Sequence, residues 1–373
     1  MTGATGFLGS HVLIRLLREQ RDTDVVVLVR DDSRAASVRL RTALHATGVP
    51  VPEDLDARVR LVRADLGHAR LGLDEGTYHE LAEKAQAVWH MAGDIRLTAR
   101  PEVLDRTNVQ GTRHVLGLVG ATRRPVPFFH TSTAYVAGRH SHGHVAEDEL
   151  DDSAGFLTEY EGSKFRAEKI VRAFAEQRET PVTVFRPGVL VDDRVPAPGS
   201  PSSPHTVAAA GIARLGDMLT GPLAHRFSMP PGGVVVATMP GDPDAHMNVL
   251  PVQYAADAMI RAAEQPAVPG VTTYHVVHPR QTPIRSLVDA LTHHAPWLRI
   301  HIGAAGGASH GVLEKLLNRM SGGIAAYGFL HRTYDRTRCA ALGLADPPVL
   351  DSRYLRASFA PPARRSTLAR LTC

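Results

Sequence analysis

Cysteine is almost absent from the chain: Cys339 and Cys373 are the only two in 373 residues. A disulfide framework is therefore not what holds the fold together, and a reducing, cytoplasmic setting is expected. No apolar run reaches the roughly 18 uninterrupted residues that mark a membrane-spanning helix. The opening, MTGATGFLGSHVL, has no basic region ahead of an apolar stretch, so no secretory leader is expected. Charge of one sign is lacking too. Lys and Arg number 42 against 38 Asp and Glu, for a formal net charge of +4, and no basic run stands out. That balance argues against a nucleic-acid surface. Histidine is plentiful, and His140, His142 and His144 cluster in HSHGH. No obvious cysteine or acidic partner set accompanies them, and there is no HExxH pattern. A solvated loop near the mouth of a site is expected there, and no metal.

What is present suits an α/β protein. Apolar residues make up 43% and charged residues 21%, enough apolar content for a packed interior. The length favours one large domain with a smaller lobe. Short apolar runs at 24–30, 59–63, 87–93, 126–133 and 181–188 read as buried parallel strands. Amphipathic helices are expected at 9–20, 102–121 and 158–176. This alternation predicts a Rossmann-type, doubly wound parallel sheet over residues 1–190. Residues 191–373 are assigned to a smaller C-terminal substrate-binding lobe, partly interleaved with the main fold. There, strands are expected at 234–239, 247–252 and 272–278, and helices at 253–264, 284–296 and 312–320. The segment 206–229, with Arg214, Asp217, His225 and Arg226, is read as a cover over the site.

The glycine-rich opening carries the first chemistry. Thr2-Gly3-Ala4-Thr5-Gly6-Phe7-Leu8-Gly9 places glycines at 3, 6 and 9, just before a helix. Such spacing allows a tight turn, a close backbone approach to a pyrophosphate, and free N–H groups at a helix start. Thr2, Thr5, Phe7 and Leu8 join the glycines as cofactor-binding candidates. A Rossmann strand normally precedes the first glycine, and here almost nothing does. The expectation is that about six to ten native residues, one central strand, are missing through a misplaced start.

An NAD-selective site holds the ribose 2′-OH with an acid about 20 residues beyond the glycines. Here Leu28-Val29-Arg30 ends the second strand, followed by Asp31-Asp32. A guanidinium suits a 2′-phosphate, so Arg30 points to NADP(H), with Asp31 and Asp32 as the counter-evidence. Asp65 is a candidate for the adenine amino group or, alternatively, a cap of its own turn.

Tyr160 and Lys164, in YEGSK, share a helix face. An ammonium near a phenol favours the phenolate, so a lowered Tyr160 pKa is expected. The polar strand end Thr131-Ser132-Thr133 supplies a hydroxyl for a substrate oxygen, with Thr133 the choice and Ser132 the runner-up. Asn108 is expected to hold a water or to kink its helix beside the site. Together these residues describe hydride transfer to a carbonyl carbon, with hydroxyl groups bonding the oxygen.

The motifs TGATGFLG, LVR, ADL, NVQGT, HTSTAYVAG, YEGSK and FRPG resemble the extended short-chain dehydrogenase/reductase family. With MNVLPVQYAADAM at 247–259, the chain looks most like the thioester-reductase, or male-sterility, branch. The resemblance implies a Thr133/Tyr160/Lys164 catalytic set and cofactor binding by Gly3, Gly6, Gly9 and Arg30. Leu66 and Pro187, inside these motifs, and Ala92, in WHMAG at 89–93, are expected as further cofactor contacts. Met91 and Gln253 depart from the branch, which commonly has asparagine and aspartate there. The implied reaction is NADPH-dependent reduction of an acyl thioester to an aldehyde. Its substrate would be held on coenzyme A or on a transiently docked carrier protein. The alternatives are an alcohol or ketone dehydrogenase, a sugar-nucleotide epimerase or dehydratase, and a non-catalytic NADPH-binding sensor or scaffold.

Overall fold

The computed structural model describes residues 1–220, 234–303 and 324–361. The helix expected at 312–320, the cover residues His225 and Arg226, the side chain of Asp217, and Cys373 lie outside the described residues.

The first half alternates as its apolar periodicity predicts. Helix α1 (Phe7–Glu19) leads to β1 (Val25–Val29), α2 (Ser33–Ala46), the short α3 (Leu55–Arg58) and β2 (Val59–Arg63). Then come α4 (Glu75–Lys84), β3 (Val88–His90), α5 (Pro101–Leu104) and α6 (Gly111–Gly120). Strand β4 (Phe128–Thr131), the short β5 (His144–Val145), α7 (Glu159–Arg178) and β6 (Pro181–Pro187) complete it. The helix expected at 102–121 is interrupted: residues Asp105–Gln110 form a π-helical turn between α5 and α6. The strand expected at 87–93 stops at His90, because Met91 and Ala92 direct their N–H groups to the Thr2 hydroxyl.

One parallel sheet organises this half. Strand β1 pairs with β2, β3 with β4, β4 with β6, and β6 with β11 (Gly270–Val276) from the second half. Thr2 joins the two groups by parallel bridges to Leu28 and to His90. Met1 and Thr2 thus hold the central strand position at which the missing segment was expected. The Thr2 N–H donates to the Trp89 carbonyl at 2.8 Å, and Leu28 donates to the Met1 carbonyl at 2.9 Å. The Met1 ammonium donates to the Val26 carbonyl at 2.7 Å, and burial pushes its pKa down to about 5.

Period-two alternation sends the strand side chains to two cores. Trp89, Phe129 and Phe185 pack on one face with Val12 and Leu16 of α1 and with α9 (Val252–Ala263). Val88, Phe128, Val182 and Val184 face the other way, onto Val115 and Val119 of α6 and Val171 and Ala175 of α7. Both faces are therefore covered, as an all-parallel sheet requires.

The second half contributes β7 (Val189–Val191), α8 (Pro204–Thr220), β8 (Val235–Pro240), β9 (His246–Met247) and β10 (Val249–Pro251). Beyond β11 lie β12 (Thr282–Pro283), α10 (Ile284–His293), β13 (Leu298–Gly303) and β14 (Thr333–Tyr334). These strands form small paired sheets: β7 with β10, β8 with β13, β9 with β12, and β5 with β14. The lobe has its own core, which includes Val191, Ala209, Met247, Leu287 and Tyr327, and Tyr135 reaches into it from just past β4. The interleaving is direct: β11 extends the main sheet, and β14 pairs with β5.

Candidate active site

The glycine turn is built by close backbone contact. Gly3 has φ +74°, and a Cβ there would lie 2.6 Å from the Ala92 nitrogen and the Met91 carbonyl carbon. A Cβ on Gly9 would lie 2.0 Å from the Gly3 carbonyl oxygen. Gly6 is the N-cap of α1 and offers no side-chain cap, which leaves the helix start open to an anion. Thr2 locks this turn to the end of β3. Its hydroxyl accepts from Met91 and Ala92 and lies 2.9 Å from His90 Nδ1. The line of buried polar groups continues from His90 Nε2 to the Thr112 hydroxyl at 3.0 Å, and from Thr112 to the Asn108 carbonyl at 2.6 Å. His90 and Thr112 escaped the sequence reading. Their signal was a histidine and a threonine at positions where a strand and a helix bury their side chains.

Asn108 sits in the π-helical turn and is 1% exposed. Its side chain accepts from the Asp94 N–H (2.7 Å) and donates to the Asp94 carbonyl (2.9 Å) and to Ser163 Oγ (2.8 Å). It therefore ties the loop after β3 to α7. The helix that carries Asn108 is interrupted there by the π turn.

Helix α7, which carries Tyr160 and Lys164, starts with a capping box in which Thr158 and Glu161 satisfy each other's backbone N–H groups. Lys164 is 6% exposed, and its Nζ donates to the Thr131 carbonyl at 2.6 Å. Burial pushes its pKa down to about 8, while the Glu168 carboxylate opposes that fall. The Thr133 hydroxyl lies beside the Tyr160 hydroxyl and favours its ionised form. Contrary to the expected lowering, its pKa is pushed up to about 12, first by burial and further by the negative charges of Glu161 and Asp94. The ammonium expected to favour the phenolate is engaged with the Thr131 carbonyl.

Thr133 and Ser132 part company here. The Thr133 hydroxyl accepts from the Tyr135 N–H and faces Tyr160. The Ser132 hydroxyl is buried and donates to Glu168 Oε2 at 2.7 Å. Thr133 is therefore the hydroxyl available beside Tyr160.

The acids beyond the second strand are also occupied. Asp31 forms an ion pair with Arg39, and Asp32 caps α2 by accepting from Arg34 and Ala35. Arg30 is exposed at the end of β1, close enough to Asp94 to help hold that carboxyl below its usual range behind the larger effect of Arg96. Asp65 takes the capping role: it accepts from the Gly67 N–H at 2.8 Å and pairs with His68. Leu66 packs under the sheet and gives its carbonyl to His114, and Pro187 is buried at the end of β6.

Gln253 donates to Asp192 Oδ1 at 2.9 Å, and Asp192 is also held by Arg194. An aspartate at 253 would set two carboxylates together, which accounts for the neutral side chain. His140 pairs with Asp151, His144 with Thr333, and His142 stacks on His331. Among the described residues no group of three or more His, Cys, Asp or Glu side chains is placed to hold a metal ion. No helix among them is long and apolar enough to cross a membrane.

A profile of the male sterility protein family, an NAD-binding family, matches residues 1–259. The chain belongs to that family. It is accordingly an extended short-chain dehydrogenase/reductase with a Rossmann fold of the kind that binds NAD(P). Among curated proteins, it is 33% identical over 209 residues to the nonribosomal peptide synthetase asaC of Aspergillus flavus. That match covers 54% of this chain and 20% of the relative, so the chain spans a small part of the relative's length. Among solved structures, the terminal R domain from the myxalamid PKS-NRPS biosynthetic pathway superposes with a TM-score of 0.72 at 23% identity. It covers 96% of this chain and 88% of that one. A thiolation-reductase di-domain from an archaeal non-ribosomal peptide synthetase superposes with a TM-score of 0.66 at 18% identity, over 96% of this chain and 73% of that one. These two likenesses concern the fold.

Proposed function

We propose that this member of the family reduces an acyl thioester to an aldehyde with NADPH, using Tyr160, Thr133 and Lys164. The observation that carries the reading is the placing of the Tyr160 hydroxyl beside the Thr133 hydroxyl, just past the carboxyl end of β4, with Tyr160 pushed up to about 12 and hence protonated. Two protonated hydroxyls suit an oxygen that gains negative charge, which is the direction of reduction.

The residues present fit the dinucleotide. The open start of α1 suits a pyrophosphate, and Arg30 suits a 2′-phosphate because both neighbouring acids are engaged elsewhere. Gly93 leaves room beside the catalytic groups: a Cβ there would lie 3.2 Å from Asn108 Oδ1 and 4.0 Å from Lys164 Nζ. Nicotinamide, when bound, supplies the hydride. Thr133 and Tyr160 then hold the oxygen as the carbonyl carbon becomes tetrahedral. When that oxygen re-forms its double bond the C–S bond breaks, the sulfur leaves with the bonding pair and takes one proton from water, and an aldehyde remains. Lys164 keeps positive charge beside the site.

A carrier-tethered substrate is supported by the peptide-synthetase context of the relatives, among them the thiolation-reductase di-domain, whose carrier stands beside its reductase. The deciding experiment measures NADPH consumption with product identification, comparing acyl-pantetheine and acyl-CoA thioesters with the free aldehydes and with ketones. Aldehyde released from thioester, and lost in Tyr160→Phe, is the expected result. Turnover confined to free aldehydes or ketones would overturn the thioester assignment.

A further inference from the structure

One face of α7 grips three consecutive residues at the end of β4. Tyr160 meets the Thr133 hydroxyl, and one turn on, Lys164 Nζ donates to the Thr131 carbonyl at 2.6 Å. One turn further, Glu168 Oε2 accepts from Ser132 Oγ at 2.7 Å. The spacing of four residues keeps all three side chains on one stripe. Glu168 is fully buried, and Arg186 and Arg172 both donate to its carboxylate, Arg186 Nη2 at 2.7 Å and Arg172 Nη2 at 3.0 Å. Arg186, itself fully buried, also donates to the Glu147 carbonyl at 3.2 Å. An ion pair this enclosed has few alternative arrangements, so the carboxylate is a fixed point to which Ser132 is tied.

We propose that Glu168 is a positioning residue of this site: it fixes Ser132, and through Ser132 the setting of Thr133, while facing Lys164 from the next turn of the helix. The proposal rests on the Tyr160/Thr133/Lys164 site, whichever carbonyl that site reduces. The groups around Lys164 are Glu168 on its own helix, Tyr160 one turn back, and the buried, neutral His90 and His130 on β3 and β4. Glu168 is the negative charge among them. Arg172 and Arg186 face Glu168 from α7 and β6, and His275 on β11 lies 3.4 Å from Arg186 Nη1.

Two variants separate the two actions. Ser132→Ala removes the tie and leaves Glu168 its arginines. It should lower kcat about tenfold on whichever carbonyl substrate the wild type accepts, with KM for the nucleotide within about twofold and melting little changed. Glu168→Gln should move the titration of Lys164 to lower pH, read by NMR of protein labelled at the lysine Cε. That readout does not depend on turnover, so it stands even if thioester reduction fails in the wild type. Full activity in Ser132→Ala, or a Lys164 titration unmoved in a folded Glu168→Gln protein, would overturn the proposal. If Glu168→Gln does not fold, Ser132→Ala decides alone.

Discussion

Asn108 Nδ2 lies 2.8 Å from Ser163 Oγ and joins the π-helical turn to α7, while Thr112, four residues further on, donates its hydroxyl to the Asn108 carbonyl. The same side chain closes two hydrogen bonds on the backbone of Asp94. One amide therefore sets the loop after β3 against α7. Asn108→Ala should cost about 2–3 kcal/mol of stability, because it leaves buried partners unsatisfied. It should also weaken nucleotide binding, since the Gly93–Asp94 loop loses its anchor. Thermal unfolding and a nucleotide titration check both.

Gly3 and Gly143 both have positive φ, at +74° and +95°, but only Gly3 has backbone within 4 Å of where a Cβ would sit. Gly143→Ala should cost about 1 kcal/mol from the backbone conformation alone and leave nucleotide binding intact. Gly3→Ala adds a collision with Met91 and Ala92. It should abolish nucleotide binding or prevent folding, and a calorimetric titration of the two variants side by side makes the comparison.

Four buried histidines should set the acid limit of stability. Burial pushes His11 and His90 down to about 3, His275 down to about 4 and His130 well below its ordinary value, so all four are neutral in the folded chain at neutral pH. Once unfolded, each returns to its ordinary value of 6.5. Between these limits the unfolded chain binds more protons, so stability falls as pH falls. Each histidine contributes up to about 1.4 kcal/mol per pH unit across that window. Urea unfolding at pH 8, 6 and 5 should show a loss already below pH 6.5, above the carboxylate range. His90→Gln should reduce the slope.

Arg30 stands exposed at the end of β1, with Asp31 held by Arg39 and Asp32 held at the start of α2. Arg30→Ala should raise KM for NADPH about tenfold, consistent with loss of a charge-assisted contact of about 1.5 kcal/mol, and leave KM for NADH nearly unchanged. Steady-state kinetics with the two nucleotides measure the switch. Equal loss with both would show that Arg30 serves the fold and not the 2′-phosphate.

The sequence by itself determined what depends on neighbours in the chain. Glycines at 3, 6 and 9 demand a tight turn before a helix, four-residue spacing puts Tyr160 and Lys164 on one face, and short continuous apolar runs make strands covered on both sides. Tertiary structure alone decided what depends on residues far apart. The Ser132 hydroxyl is taken up by Glu168, 36 residues on. Tyr160 is held protonated because packing removes it from water, while the lysine beside it turns to Thr131. Met1 and Thr2 form the middle of a sheet only because β1 and β3 close on them from both sides. Hydroxyl, phenol and carboxylate carry the same chemistry in any sequence. Which of them is free, and in which protonation state, is set by burial and by partners that only the folded chain brings within hydrogen-bonding distance.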